Sequence, residues 1–268
     1  MEAARIAAQD PAAWSRLLAH PNPRIRRLGL DIAPEAPREA ALTDVHAGVR
    51  NDARYLLGKR DYAAHYRTHL SEPGRLPLAV RLLLGQDDRE DLERRLFPAP
   101  GAVSGLGETG TKDDTEALVP LLKHPKADVR ARAVEAIFRL RGDDAEPLLL
   151  AMLLDPIQKV RRAAVDALVR SNLALDPEGI LQWPLGSAMR LRLLQRTPRW
   201  AALLAVLRTA EILNGADEWL AHWAKEAGYG RVPPKPAELD EARRLVATSA
   251  LKPETETALR AALDGWRL

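Results

Sequence analysis

Two neighbouring segments of the chain share one helix-pair design. Residues 114–142 read DTEALVPLLKHPKADVRARAVEAIFRLRG, and residues 145–172 read AEPLLLAMLLDPIQKVRRAAVDALVRSN. In each segment an apolar run with helical spacing is followed by a proline-containing turn and a second helical run. Proline interrupts the helical hydrogen bonds at the turn, Asp128 is placed to cap the second helix, and Gly142 is placed to end it. We therefore predict two antiparallel helix pairs.

The apolar positions recur along a longer stretch, and successive members of each column are 31 residues apart. A fixed period with apolar columns at helical spacing is typical of a solenoid of stacked helix pairs. No segment alternates at period two for long enough to form a strand, so the predicted fold is all-α. The columns are Ala102, Ala133 and Ala164; Val103, Val134 and Val165; and Leu106, Ile137 and Leu168. The residues expected in the core are Leu118, Leu121, Ile137, Leu149, Leu153 and Leu168.

A second signal follows each turn, where a proline precedes a β-branched residue and an arginine. It occurs as Pro125 before Val129-Arg130, as Pro156 before Val160-Arg161, and near the start as Pro21 before Ile25-Arg26. In these residues the chain resembles the HEAT repeat family, in its short form that is also seen in phycobilisome-lyase-like repeats. The resemblance implies a right-handed α-solenoid of stacked antiparallel helix pairs, a HEAT-like superhelix.

The resemblance also implies a ladder of aspartate and arginine side chains between repeats. The ladder aspartate ends the first helix six positions before the arginine, and Asp155 stands in this relation to Arg161. His124 and His20 occupy the corresponding positions of two other repeats. We therefore expect the ladder to be interrupted at these histidines.

The strength of the repeat pattern divides the chain into three predicted segments. Residues 1–97 carry degenerate N-terminal HEAT-like helix pairs, residues 98–172 carry well-formed repeats, and residues 173–268 carry divergent helix pairs and a cap. In the last segment, two final helices are predicted over 238–249 and 254–266, after a proline- and glycine-rich loop.

Composition excludes several classes of function. The 268 residues include 40 basic and 37 acidic side chains and no cysteine. Disulfides, thiolate zinc sites and cysteine catalysis are therefore excluded. The beginning of the chain has no signal-peptide pattern, and no apolar run approaches the roughly 18 residues that span a membrane. We expect a cytoplasmic protein that does not enter a membrane.

One stretch matches a nucleotide-binding pattern by its letters alone. Residues 105–110 read GLGETG, which fits G-x-G-x-x-G. A dinucleotide site needs this string between a buried strand and a helix, so that backbone N–H groups face the phosphates. Here no strand precedes it, and Gly105 occupies a column of the repeat. We expect a helix at this place, with no nucleotide and no cofactor.

The stretch DYAAHYRTH, residues 61–69, contains three possible metal ligands. Asp61, His65 and His69 would share one helix face, and two imidazoles with a carboxylate can hold a metal ion. The sequence indicates no fourth ligand group. We therefore expect an ordinary helix face and no metal.

The candidate partner-binding site is an arginine-rich stretch with flanking tryptophans. Residues 179–210 contain no aspartate or glutamate. If one helix continues to Pro198, Arg192, Arg196 and Arg199 lie on one stripe. Arginines beside aromatic rings suit phosphates, stacked bases or an acidic protein surface. The candidate residues are Arg190, Arg192, Arg196, Arg199, Trp183 and Trp200.

Three functions remain open at this point. The first is a non-enzymatic adaptor that binds a protein partner through an extended concave face of the solenoid. The second is nucleic-acid binding through the basic region from Arg190 to Arg208. The third is an enzyme like the HEAT-like DNA glycosylases, whose catalytic aspartate and aromatic groove would correspond to Asp217, Trp219 and Trp223. Trp219 and Trp223 share a helix face, and the alternative for this pair is core packing.

Overall fold

The computed structural model describes residues 11–71, 100–226 and 232–266. In these ranges the chain forms helices joined by turns and contains no strand, which confirms the predicted all-α fold of helix pairs. The chain separates into two compact units, Met1–Ala164 and Val165–Leu268, called here the N-terminal unit and the C-terminal unit. The predicted division into 1–97, 98–172 and 173–268 follows the strength of the repeat pattern and stays a prediction.

The N-terminal unit consists of short helices, and most of them pack on a helix one or two positions away among the described helices. Short 3-10 turns at Ala41–Thr43, Lys112–Asp114, Val119–Lys123 and Gly142–Ala145 connect several of them. The helices are α1 (Pro11–Leu18), α2 (Pro23–Ile32), α3 (Glu35–Ala40), α4 (Ala47–Leu57), α5 (Tyr62–Ser71), α6 (Pro100–Thr109), α7 (Thr115–Leu118), α8 (Ala127–Arg141), α9 (Glu146–Met152) and α10 (Gln158–Arg170), which contains the boundary between the units.

Local side chains decide where these helices begin and end. The side chain of Asn22 accepts the N–H of Arg24 at 2.9 Å and caps α2. Gly142 ends α8 with φ +57, a conformation that favours glycine, as predicted. The predicted cap at Asp128 is wrong, because α8 begins at Ala127, two residues before the predicted start, and Lys126 occupies the cap position. Asp128 instead lies in the first turn of α8, where its negative charge favours the helix N-terminus.

Most of the predicted core residues are buried, and Leu121 is the exception. Leu118, Ile137, Leu149, Leu153 and Leu168 are at most 1% exposed, whereas Leu121 is half-buried. Leu121 lies in the 3-10 turn Val119–Lys123, where three residues complete a turn instead of 3.6. The side chain is therefore rotated away from the face that an α-helix would have buried.

The glycines of the stretch GLGETG let neighbouring helices approach α6 closely. A Cβ atom on Gly105 would lie 2.3 Å from the ring of Tyr66, and one on Gly107 would lie 2.6 Å from Ala136 of α8. Both distances are shorter than any normal carbon–carbon contact. The stretch is part of a buried helix, as expected, and its glycines have a packing role.

The C-terminal unit continues with helices that pack on a buried central one, α13, whose residues 202–207 are all buried. The last two helices begin and end close to the predicted positions. No helix among the described residues is long and apolar enough to cross a membrane. After α10 the helices are α11 (Pro177–Gln182), α12 (Ser187–Leu194), α13 (Arg199–Arg208), α14 (Ala216–Glu226), α15 (Pro236–Thr248) and α16 (Pro253–Asp264).

Candidate functional site

Arg130 ties its own turn to the following turn of the N-terminal unit. Its Nη1 donates to the carbonyl oxygens of His124 and Pro125 at 2.8 and 3.1 Å. Its Nε and Nη2 donate to the two carboxylate oxygens of Asp155 at 2.7 and 2.9 Å. This fork-to-fork arrangement is among the strongest ion-pair geometries in proteins. The arginine therefore joins two consecutive helix pairs.

Arg26 repeats the same arrangement near the start of the unit. Its Nη1 donates to the carbonyls of His20 and Pro21 at 2.9 Å each. Its Nε and Nη2 donate to Asp44 at 2.7 and 2.9 Å. The ladder implied by the family resemblance is thus present in this unit, and each aspartate receives the arginine of the preceding helix pair.

The two histidines make the same turn hydrogen bond as the ladder aspartate. His124 Nδ1 accepts the N–H of Lys126 at 3.1 Å, in the way that Asp155 Oδ1 accepts the N–H of Ile157 at 2.8 Å. His20 Nδ1 likewise accepts a backbone N–H two residues later, at 3.0 Å. The turn and the bonds of its own arginine are therefore kept at these histidines. The expected interruption concerns the aspartate–arginine pair between repeats, whose carboxylate is missing at these positions.

Asp44 and Arg50 form a further ladder position that sequence reasoning missed. They are six residues apart, and Arg50 Nη1 donates to the carbonyl of Asp44 at 2.6 Å. The signal was present in the pair Val49-Arg50, but the turn contains no proline and was therefore not recognised. The Arg50 side chain is 2% exposed and pairs with Glu108. A buried arginine of this kind is part of the architecture.

Glu108 of α6 receives positive charge from two other helices of the N-terminal unit, α4 and α8. It accepts hydrogen bonds from Arg50 and from Arg54, the latter at 2.9 Å, and Arg139 Nη1 lies 3.4 Å away. Burial opposes ionisation of this carboxyl, but the hydrogen bonds and charges of Arg50 and Arg54 outweigh burial and lower its pKa. Arg54 also donates to the hydroxyl of buried Tyr66 at 3.2 Å. The cluster holds helices together and has no open side for a substrate among these contacts.

Asp61, His65 and His69 take part in other contacts. Asp61 caps its helix by accepting the N–H of Ala64 at 2.9 Å. The His65 and His69 rings pack edge to face with centroids 4.4 Å apart. Burial and the neighbouring His69 lower the pKa of His65. Within the described ranges, no group of three or more His, Cys, Asp or Glu side chains is arranged to hold a metal.

In the C-terminal unit, the predicted single arginine stripe is wrong. Helix α12 ends at Leu194 and α13 begins at Arg199, so Arg192, Arg196 and Arg199 do not share one helix. The residue before a proline is disfavoured in the helical conformation, which separates the two helices ahead of Pro198.

Two of the candidate arginines are held by backbone carbonyls. Arg190 Nε and Nη2 donate to the carbonyl of Trp183 at 3.2 and 2.9 Å. Arg196 Nη2 donates to the carbonyl of Ser171 at 2.9 Å. A carbonyl binds the guanidinium without neutralising its charge. Both arginines therefore keep a net positive charge at the surface of the unit.

Two other arginines of the acid-free stretch are paired with carboxylates from outside it. Arg192 Nη1 lies 2.5 Å from Asp166 Oδ1, and both side chains are more than one third exposed. Arg208 pairs with Glu178 and, at 2.7 Å, with Glu241. The stretch is thus less positive in the folded protein than it reads in the sequence.

Trp200 is a core residue of the C-terminal unit. It is 5% exposed, and its Nε1 donates to the carbonyl of Val232 at 3.2 Å. Its ring packs edge to face on Trp223 and Trp266, with centroid distances of 5.2 and 5.8 Å. Trp183, the other candidate tryptophan, is half-buried.

Arg199 lies in a cleft of about 420 Å³ whose aromatic wall is supplied by α14. Its Cζ is 5.0 Å from the centroid of the Trp223 ring, within the range of a cation–π contact. Arg199 Nη2 donates to the carbonyl of Trp223 at 2.9 Å, and Trp223 Nε1 donates back to the carbonyl of Arg199 at 3.3 Å. Leu194, Trp219, His222 and Glu226 also line the cleft.

Sequence reasoning found the parts of this cleft but did not join them. Trp219 and Trp223 were noted as a helix-face pair, with core packing as the alternative, and Arg199 was assigned to another group. Asp217, the residue that a glycosylase-like site would need, accepts the backbone N–H of Lys252 at 3.0 Å and does not line the cleft. Arg199 and Trp223 are 24 residues apart, and their contact arises only from the packing of α13 against α14.

Comparison with known proteins agrees with the repeat pattern. Residues 101–177 match the family model of HEAT repeats. The match covers α6 to α10, where the period of 31 residues is clearest. No curated protein was found to match the chain. The finer likeness to phycobilisome-lyase repeats stays a prediction.

Proposed function

We propose that this HEAT-repeat protein is a non-enzymatic adaptor, which binds a protein partner on the surface of its helix pairs. The observation that carries the proposal is the cleft of the C-terminal unit. There an arginine that takes part in no ion pair among the described residues lies beside exposed parts of an apolar, aromatic wall. Arginine and tryptophan are enriched at the energetic centres of protein interfaces.

The residues assigned to partner binding keep that role in the proposal with one change. Arg190, Arg192, Arg196, Arg199 and Trp183 contribute contacts or charge at the surface, because each has some exposure. Trp200 contributes indirectly, because its buried ring packs against Trp223 and holds that ring in place.

The N-terminal unit offers apolar contacts of its own. Leu28 on α2 and Tyr55 on α4 are 61% and 86% exposed, and the two helices are in contact. Large apolar side chains on adjacent helices are favourable anchor points for a protein partner. They supply little to a nucleic-acid backbone, which is bound mainly through charge.

Nucleic-acid binding is the alternative function. It is favoured by the absence of acidic residues from 179–210. It is disfavoured by the pairing of Arg192 and Arg208 with carboxylates, because only uncompensated cations displace counterions from phosphates. The adaptor function therefore agrees with more of the observed contacts than nucleic-acid binding does.

A capture experiment tests the adaptor. Immobilised full-length protein is exposed to a nuclease-treated lysate of the native host, beside an Arg192→Glu/Arg196→Glu/Arg199→Glu variant and an Arg260→Gln control. Arg260 is an exposed arginine on α16, outside the candidate site. We expect a discrete protein to bind the wild type and the control and to be lost from the triple variant. Capture of nucleic acid alone before nuclease treatment, released by salt, would replace the adaptor by the alternative.

A further inference from the structure

Arg199 is held in a fixed position within its cleft. Its two reciprocal hydrogen bonds with Trp223, at 2.9 and 3.3 Å, connect the first turn of α13 to α14. One face of the guanidinium is covered by the Trp223 ring. A guanidinium presents five N–H groups, and among the described residues only the bond from Nη2 to a carbonyl is made. The remaining donors are oriented before any ligand arrives, which reduces the entropy lost on binding.

The charges around the cleft suit a ligand with a single carboxylate. Arg199 has no carboxylate partner among the described residues, and a guanidinium fork matches a carboxylate with two parallel hydrogen bonds. Glu226 supplies one negative charge at the more exposed side, where its Oε1 lies 3.4 Å from His222 Nε2. A run of acidic residues would meet this carboxylate and be repelled.

The size and the apolar lining of the cleft suit one side chain in addition to that carboxylate. A volume of about 420 Å³ lies at the lower end of typical ligand pockets. Leu194, Ala202 and Trp219 form the apolar part of the lining, and polar side chains such as Gln195 and Thr197 form the rest. An aliphatic or aromatic side chain of the ligand would be desolvated there.

We infer that the cleft receives the C-terminal residue of the partner polypeptide, with its carboxylate on Arg199 and its apolar side chain against Trp219. A C-terminal residue carries both groups on one carbon atom, so they enter together. In an extended chain, an acidic side chain and its apolar neighbours point to opposite faces. The inference rests on the proposed adaptor function and specifies which part of the partner is bound.

Titration of the full-length protein with small probes tests the inference. The chain contains six tryptophans, whose indole N–H signals can be followed by nuclear magnetic resonance. N-acetyl-L-leucine represents a chain end, N-acetyl-L-leucinamide is the neutral control, and N-acetyl-Leu-Glu-Leu-amide carries its carboxylate within a chain. We expect N-acetyl-L-leucine to shift the Trp219 and Trp223 signals saturably. Its affinity should exceed that of either other probe at least tenfold.

Variants assign the effect to Arg199. Arg199→Gln should weaken binding of N-acetyl-L-leucine at least tenfold, and Arg199→Lys should fall between, because lysine keeps the charge without the fork. Arg260→Gln should bind as the wild type does. Unchanged signals of Trp200 and Trp266 show that the variants are folded, since Trp200 is buried and the half-buried Trp266 ring packs against it.

The outcomes separate the inference from the adaptor function. Equal binding of acid and amide, or a preference for the internal glutamate or for uridine monophosphate, would overturn the inference. A captured partner that binds Arg199→Gln as well as the wild type would also overturn it and leave the adaptor intact. If no partner is captured although N-acetyl-L-leucine binds, the proposed adaptor function is wrong. The assignment of the bound carboxylate to a partner polypeptide is then wrong as well.

Discussion

The two units use their arginines in different ways. In the N-terminal unit, Arg26 and Arg130 each meet the two oxygens of a buried or half-buried aspartate that belongs to the next turn. In the C-terminal unit, Arg190, Arg196 and Arg199 donate to backbone carbonyls instead. At these positions, an arginine joins helix pairs in the N-terminal unit, whereas in the C-terminal unit it has no carboxylate partner among the described residues.

This difference connects stability with availability for binding. If a guanidinium that is paired with a buried carboxylate moved to bind a partner, the carboxylate would be left buried and unpaired. Such an arginine therefore stabilises the fold and is not available for binding. A guanidinium that is positioned by carbonyls is held in place but still attracts an anion. An arginine in the ladder is thus a poor candidate for partner binding, whereas Arg199 is a good one.

The largest expected effect tests whether the units differ only in their charges. Leu149 of the N-terminal unit and Leu220 of the C-terminal unit are both at most 1% exposed. Leu149→Ala and Leu220→Ala should each lower the free energy of unfolding by about 2–5 kcal/mol, because each leaves a cavity in an apolar core. Urea denaturation followed by circular dichroism measures this. Unchanged unfolding of the Leu149 variant would contradict the repeat core.

The next effect breaks the ladder at its most buried carboxylate. Asp155→Asn removes the charge partner of Arg130, whose side chain is 11% exposed, and should cost about 2–3 kcal/mol. Asp166→Asn, the matched change at the exposed pair with Arg192, should cost less than about 1 kcal/mol. Urea midpoints of the two variants give the comparison. Equal losses would show that the two kinds of pair do not differ.

A smaller effect concerns the close approach of helices in the N-terminal unit. Gly105→Ala places a methyl group against the Tyr66 ring and should cost about 1–3 kcal/mol through overpacking. Gly186 in the C-terminal unit has no atom within 4 Å of an added Cβ, so Gly186→Ala causes no overpacking. It should cost about 1 kcal/mol at most, because alanine caps α12 less well than glycine. Thermal unfolding of both variants measures the contrast. A Gly105 variant as stable as wild type would mean that Tyr66 can move aside.

The smallest effect is a dependence of stability on acid. Burial opposes ionisation of Asp155, but hydrogen bonds from Arg130 and the Ile157 N–H outweigh it and lower the pKa, as they do at Glu108 with its own arginines. Protons then bind the unfolded chain more tightly than the folded one. The stabilisation is complete above the unfolded values, about 3.9 for Asp and 4.3 for Glu, and is lost as the pH falls below them.

Denaturant titrations between pH 7 and pH 3 test this dependence. The wild type should lose stability on acidification, and Asp155→Asn should lose less over the same range, because its side chain does not titrate. Asp166→Asn serves as the control and should follow the wild type. If the stability of the Asp155 and Asp166 variants declined equally on acidification, the ladder would not be the acid-sensitive element.

The repeat columns made much of the fold predictable. Ile137 and Leu149 were assigned to the core because a constant offset identifies the same face of successive helices, and that face is buried wherever the helices stack. Leu121 and Asp128 were misplaced by local geometry: a 3-10 turn rotates one, and an earlier helix start moves the other. Such local shifts depend on backbone geometry, which apolar periodicity does not encode.

By itself, the sequence determined the all-α helix pairs, the 31-residue period, the Val-Arg positions and the chemical character of the arginine-rich stretch, since each depends on residues close together in the chain. Only the tertiary structure decided what each arginine meets. Arg199 and Trp223 are 24 residues apart, and Arg130 and Asp155 are 25 apart, on different helices. Charge compensation is a property of distances in space, so it separates the ladder arginines from Arg199 only once the helices have packed.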